Sequence, residues 1–338
     1  MVARPKAIGT PLTPVDSGWR RRRGPGWAVI AGKELAEGLT SLRFAVLVAI
    51  LAFAAAAPVY AASGAIREAA EGASDAAAVF LALFTIGGNP VPSFVGLVGF
   101  LAPLLGIAFG FDAINGERAQ GTLPRLLSQP VHRDDVINGK FVAGLAMIAI
   151  VMVGIMLLVA GLGLLRLGIA PSLAELARLL AWLAVTICYI GLWLAFATLC
   201  SVLVRRAATS ALLAIGVWMA LSLFGVLLAR LVAGVIDPIG PSGEAASLAR
   251  AQLEQQLSAI DPGTLYGQVT AALLNPSVTS ITLPGLAQII QLSQQIPTQL
   301  SLGQSLLLAW PQIVILVAGT VVCFVLAYVA FLRQEVRA

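Results

Sequence analysis

Six long runs free of charged side chains constrain this chain more than any other feature. They cover residues 44–62, 93–111, 141–165, 179–204, 207 to about 229, and 305–332. The fifth extends to Ile236 if Arg230 is passed. About 20 apolar residues suffice to carry a helix across the hydrocarbon of a bilayer. No water reaches the backbone there, so each segment must satisfy its own N–H and C=O groups, which selects the α-helix. Of 338 residues, 59% are hydrophobic and 11% charged, against about 25% charged in soluble domains. That is too little charge to clothe a surface in water. The expected fold is an all-α membrane protein with six transmembrane helices.

Orientation follows from the basic residues, which crowd the cytoplasmic ends of spans. Sixteen Lys and Arg fall on one side: Arg4, Lys6, Arg20, Arg21, Arg22, Arg23, Lys33, Arg43, Arg118, Arg125, Arg133, Lys140, Arg205, Arg206, Arg333 and Arg337. Five fall on the other: Arg67, Arg166, Arg178, Arg230 and Arg250. Both termini are therefore expected in the cytoplasm, with the chain in the plasma or inner membrane. The net charge of +5 then needs no nucleic-acid partner. Residues 1–24 are rich in Pro, Gly, Ser and Arg and read as a disordered tail. The basic run Arg20–Arg23 leads into Gly24-Pro25-Gly26, not the apolar core of a signal peptide. Cys188, Cys200 and Cys323 all sit inside apolar runs and read as packing residues.

Residues 25–43 predict an interfacial helix before the first span. At 100° per residue, Trp27, Ala31, Leu35, Leu39 and Leu42 share a face, with Lys33, Glu34, Glu37 and Thr40 opposite. Such a helix lies in the membrane plane. Residues 44–236 hold spans 1–5, and residues 305–338 hold span 6 and a tail. Residues 237–304 are long for a connector and read as an external helical segment. Ala245 to Ile260 and Pro284 to Gln295 are amphipathic, with Asp261-Pro262-Gly263 and Asn275-Pro276 as breakers. No charge occurs from Pro262 to Leu332, so part of this segment is expected on the outer leaflet or against the bundle.

The connection between spans 2 and 3, residues 112–140, carries the most information. Gly121 permits a sharp reversal. Thr122 can cap a short helix, with Pro124 tolerated in its first turn. Leu123, Leu126 and Leu127 form an i, i+3, i+4 apolar face, and Pro130 ends the element. A second helix starts near Arg133 and runs through Lys140 into the membrane. The short helix suits a partner's groove. It suits equally well packing on the leaflet or the bundle.

These residues resemble the signature of ABC-2 type permeases, the membrane subunits of type V ABC exporters. The resemblance rests on Glu117-Arg118, Gly121-Thr122-Leu123, Leu126-Leu127, Pro130-Val131, Arg133 and Gly139-Lys140. Lys33-Glu34-Leu35 after Trp27 and the tail 331–337 are also similar. His132 stands where the family more often has a small polar residue. The long loop after span 5 is similar to the branch that includes permeases linked to copper-enzyme maturation. The resemblance implies that the first helix is an elbow and that the 112–140 connection holds a coupling helix seated on a separate ATP-binding subunit. Two such subunits would bind ATP and Mg, leaving no cofactor in this chain. Two permease subunits, identical or paralogous, would line a path through membrane lipid, with export the expected direction.

The missing chemistry agrees. A P-loop needs Gly-x-x-x-x-Gly-Lys-[Ser/Thr], but Asp134 stands six residues before Lys140 and Phe141 follows it. Proton-coupled transporters place ionisable residues at mid-membrane, and the six cores hold none. One His in the chain leaves no zinc-hydrolase motif, so no enzymatic activity is expected. Met147, Met152 and Met156 could offer thioethers to soft copper, but in an apolar helix they read as packing, and no metal site is expected. Gly106 and Gly110 form a GxxxG that permits close helix approach, a dimer contact being one setting. Uncharged candidates for lining a path are Thr186, Tyr189, Thr209 and Ser222, which suits an apolar or lipid-like cargo.

Overall fold

Every apolar run is helical in the computed structural model. It describes residues 25–61, 64, 79–87, 92–122, 132–168, 170–236, 253, 261–275 and 300–334. The helices are α1 (Gly26–Leu39), α2 (Leu42–Ala61), α3 (Val79–Thr85), α4 (Phe94–Gly110), α5 (Asn115–Ala119), α6 (Arg133–Leu167), α7 (Leu173–Leu203), α8 (Ala207–Ile236), α9 (Pro262–Leu274) and α10 (Leu302–Arg333). No strand occurs among the described residues. Among the described residues, six helices are long and apolar enough to cross a membrane, in α2, α4 with α5, α6, α7, α8 and α10. The expected tail 1–24 and most of 237–304, including Pro284 to Gln295 and all of Ala245 to Ile260 but Leu253, lie outside the described residues.

Several helices outrun their apolar stretches because capping residues define their ends. In α7, Ser172 Oγ accepts from the Glu175 amide at 3.2 Å, and Glu175 Oε2 accepts from the Ser172 amide at 2.9 Å. This reciprocal box moves the helix start ahead of residue 179. Ser301 and Gln304 do the same for α10. Asp261-Pro262-Gly263, expected as a breaker, is the point where a helix starts. Asp261 accepts from the amides of Gly263 and Thr264 at 3.1 and 2.9 Å, and Pro262 fills the first helical position, where its missing N–H costs nothing. The tripeptide starts α9, and Asn275 ends it.

Helix α7 is the central post, packing on α4, α6, α8, α9 and α10. Its contact with α4 runs through the GxxxG, so that motif closes an intrachain seam. A Cβ on Gly106 would lie 2.5 Å from the Ile190 carbonyl oxygen, and one on Gly110 would lie 2.8 Å from that of Leu194. Phe84, Phe94 and Trp182 meet edge-on with centroids 5.5 to 6.2 Å apart and fill one end of the core. We call that end distal. The proximal end carries α1, α5, the start of α6 and the last turns of α7 and α10, around a second core of Ile30, Ile114, Val136, Ile137, Val202, Ala327 and Phe331.

Candidate functional site

The proximal end gathers the polar residues singled out in the 112–140 connection. Lys140, in the second turn of α6, has a side chain only 7% exposed. Its ammonium lies 2.9 Å from Glu34 of α1 and 3.1 Å from Glu117 of α5. One cation thereby joins the N-terminal helix, the connection and the third span. Gly139 completes the contact: a Cβ there would stand 2.7 Å from Ile30 Cβ and 2.8 Å from the Trp27 carbonyl oxygen. Asp135 caps two helices, accepting from the Trp27 amide of α1 at 3.0 Å and from His132 at the head of α6 at 3.4 Å.

The α5 side is tied just as firmly to the spans. Ser201 Oγ accepts from the amides of Ile114 and Asn115 at 3.0 and 3.1 Å. Arg118 donates to the Val202 carbonyl at 3.3 Å and to the Gln334 side chain. Gln334 Nε2 donates to the same Val202 carbonyl at 2.8 Å, and Arg133 donates to the Gln334 carbonyl at 3.1 Å. Gly121 is left-handed, with φ +66°, and Thr122 turns back to hydrogen-bond Glu117. The reversal expected at Gly121 is present.

The motif residues Glu117, Arg118, Arg133 and Lys140, with Gly139 packed on α1, thus face inward and splice the connection to its own bundle. The apolar part of the motif, Leu123, Leu126, Leu127 and Pro130, lies outside the described residues. In α1, Lys33 pairs with Glu37 at 3.5 Å. The packed face of α1 runs through Ile30, Glu34 and Gly38. Of the apolar face expected to lie along the membrane, Ala31 is buried and Leu35 and Leu39 are half-buried. The helix meets α6 at the border of its apolar and polar faces, leaving Trp27 39% exposed.

The distal end supplies residues that the apolar pattern hid. Arg178 is buried and donates to the Leu273 carbonyl at 3.0 Å, to Ser305 Oγ at 3.1 Å and to the Leu300 carbonyl. Glu175 is also buried and accepts from the Phe80 amide at 2.9 Å. The signal for Glu175 is the Ser-x-x-Glu box; for Arg178 it is a lone charge at the head of an apolar run. Of the path candidates, Thr186 and Tyr189 are buried under α9. Tyr266 of α9 stacks on Tyr189 with centroids 4.4 Å apart and shares a 3.0 Å hydrogen bond with Thr186. Thr209 and Ser222 are exposed on α8. Met152 and Met156 are buried in the main core, while Met147 packs on Gly38.

Five apolar spans packed about a sixth, central one, with one inter-span connection spliced to the ends of its neighbours, define a multi-pass membrane protein. The chain matches the ABC-2 family transporter protein model over residues 28–336 and belongs to that family. It is 34% identical over 202 residues to the probable ABC transporter permease protein NosY of Stutzerimonas stutzeri, covering 56% of this chain and 64% of that one. It is 33% identical over 129 residues to the protein of the same name from Pseudomonas aeruginosa, covering 37% and 41%. The matched regions therefore span less than two thirds of either relative's length.

Proposed function

We propose that this chain is the membrane-spanning subunit of an ATP-binding cassette exporter, driven through the 112–140 connection by a separate ATP-binding subunit. Two ATPase subunits and two permease subunits make the complete machine, and ATP and Mg stay on the partners. The observation that carries this reading is the Lys140 junction. Salt bridges and hydrogen bonds bolt the connection to α1, α7 and α10. A connection that receives force needs a stiff base, because a pliant one would dissipate the movement. Family membership supports the kind of partner, and the NosY proteins carry the word permease in their names. If Thr186 and Tyr189 line the path, passage of cargo requires α9, which covers them, to move.

Purification of the tagged chain from its native membrane tests the partner directly, with a P-loop ATPase expected in the complex. In the reconstituted complex, Leu126→Asp and Glu117→Ala each abolish ATP-dependent transport while the chain still inserts and assembles. Normal transport by both variants, or cargo movement by the permease alone, would overturn the reading.

A further inference from the structure

We propose that Pro103 is a hinge in α4 and that Tyr189 is the latch that holds it shut against α9. A proline inside a helix donates no N–H, and its ring crowds the carbonyl four residues earlier. In α4 that proline is Pro103, and the carbonyl left without its helical donor is that of Gly99. The Tyr189 hydroxyl donates to this same carbonyl at 3.1 Å. A bond missing from the backbone of one span is thus supplied by a side chain of another.

The two halves of α4 are held to the bundle in different ways. The proximal half meets α7 backbone to backbone at Gly106 and Gly110, with no room for a Cβ at either. The distal half carries Phe94, which meets Trp182 and Phe84 edge-on with centroids 5.9 and 5.5 Å apart. Contacts between side chains can re-pack as a helix swings, whereas a backbone seam of small residues is lost as soon as it opens. The helix therefore bends most easily between the seam and the aromatic contacts, which is where Pro103 lies. The moving part is the distal half.

Tyr189 ties that bend to α9. Its ring stacks on Tyr266 with the planes 8° apart. Its hydroxyl lies against the first turn of α9, 3.6 Å from where a Cβ on Gly263 would stand. A Cβ on Gly99 would in turn stand 3.4 Å from the Tyr266 ring. Gly99, Tyr189 and Tyr266 so bring α4, α7 and α9 to one point. When the distal half of α4 swings out about Pro103, Tyr189 loses its acceptor and Tyr266 loses one wall, so the same movement loosens α9. The purpose of this device rests on the reading that cargo passes beneath α9, but the latch itself belongs to the chain alone.

Hydrogen exchange of the detergent-solubilised chain tests the latch with no ATPase present, because it reads local opening directly. Mass spectrometry follows residues 94–102 and 262–274. Tyr189→Phe keeps the ring and removes the hydroxyl, and exchange in both segments is expected to rise about fivefold, which corresponds to about 1 kcal/mol. Pro103→Ala returns an N–H to the Gly99 carbonyl, so in that background Tyr189→Phe should leave exchange unchanged. Unaltered exchange in Tyr189→Phe alone overturns the proposal, as does an equal rise with and without Pro103. In the reconstituted complex, Pro103→Ala is expected to slow ATP-dependent transport about tenfold with the partner still bound. Full transport by that variant overturns the hinge. If the unmodified complex also moves nothing, the fault lies with the proposed function, and the exchange measurements decide the latch by themselves.

Discussion

Lys140 is charged, nearly sealed from solvent and held by two carboxylates from different helices. A buried cation is tolerated only when its desolvation is repaid by partners in good geometry. Replacing it therefore does more than remove a contact, because it leaves Glu34 and Glu117 facing each other unpaired. Lys140→Met is expected to destabilise the chain by about 2 kcal/mol. Adding Glu34→Gln to that variant restores part of the loss, since one of the stranded charges is gone. A double-mutant cycle on detergent-solubilised protein measures the coupling; strictly additive losses would show that the junction is decorative. Gly106 poses the opposite problem, where the constraint is space. With the Ile190 carbonyl at 2.5 Å from any added Cβ, Gly106→Val must push α4 off α7. The expected loss is about 1–3 kcal/mol, read as a lower thermal midpoint. Gly154, whose Cβ would meet nothing within 4 Å, is the matched control, and Gly154→Val leaves the midpoint nearly unchanged.

Among the elements, α9 is the least expected. Its Val269, Ala272 and Leu273 are buried, and Trp182 donates to Thr270 at 3.3 Å. Arg178 holds the end of α9, residue 300 and the head of α10 with a single guanidinium. Arg178→Met strands a buried carbonyl, a half-buried one and a hydroxyl, which weakens docking of α9 by about 3 kcal/mol. A cysteine placed at Ala272, in a background lacking Cys188, Cys200 and Cys323, should then react with a maleimide about 100-fold faster. An unchanged rate would mean that α9 is held by its apolar face alone. The six spans were legible because lipid permits a long apolar run no other fold. Helix α9 was not, since Asp-Pro-Gly serves equally as a turn or as an N-cap with proline at the first position. Burial against α7 and α10, distant in sequence, decides between them. The GxxxG announced a close approach without naming the partner. Likewise, the spacing of Glu117, Arg118 and Lys140 placed them on one connection without revealing that they point inward. Which of two plausible neighbours a side chain meets is settled by packing across the bundle, and local pattern carries no trace of it.

For the molecule as a whole, the two ends differ in what they ask of their surroundings. The proximal end is basic and cross-tied by charge, through Lys140, Arg118, Arg133 and the Arg43–Asp112 pair. The distal end is sealed by apolar and aromatic packing around Trp182 and Tyr266. Basic flanks are retained on the side where the membrane surface is most negative, at about 1 kcal/mol per residue near the surface. Sixteen against five is a strong bias, so the proximal end is expected to face the cytoplasm, where an ATP-binding partner would find it. Two glycines offer clean reporters, since a Cβ at Gly32 in α1 or at Gly303 in α10 would meet nothing within 4 Å. In intact cells a membrane-impermeant maleimide should label Gly303→Cys and spare Gly32→Cys, with both reacting once the membrane is broken. The reverse pattern would put α1 and the 112–140 connection outside the cell, beyond reach of any ATPase, and the coupling mechanism would fall with it.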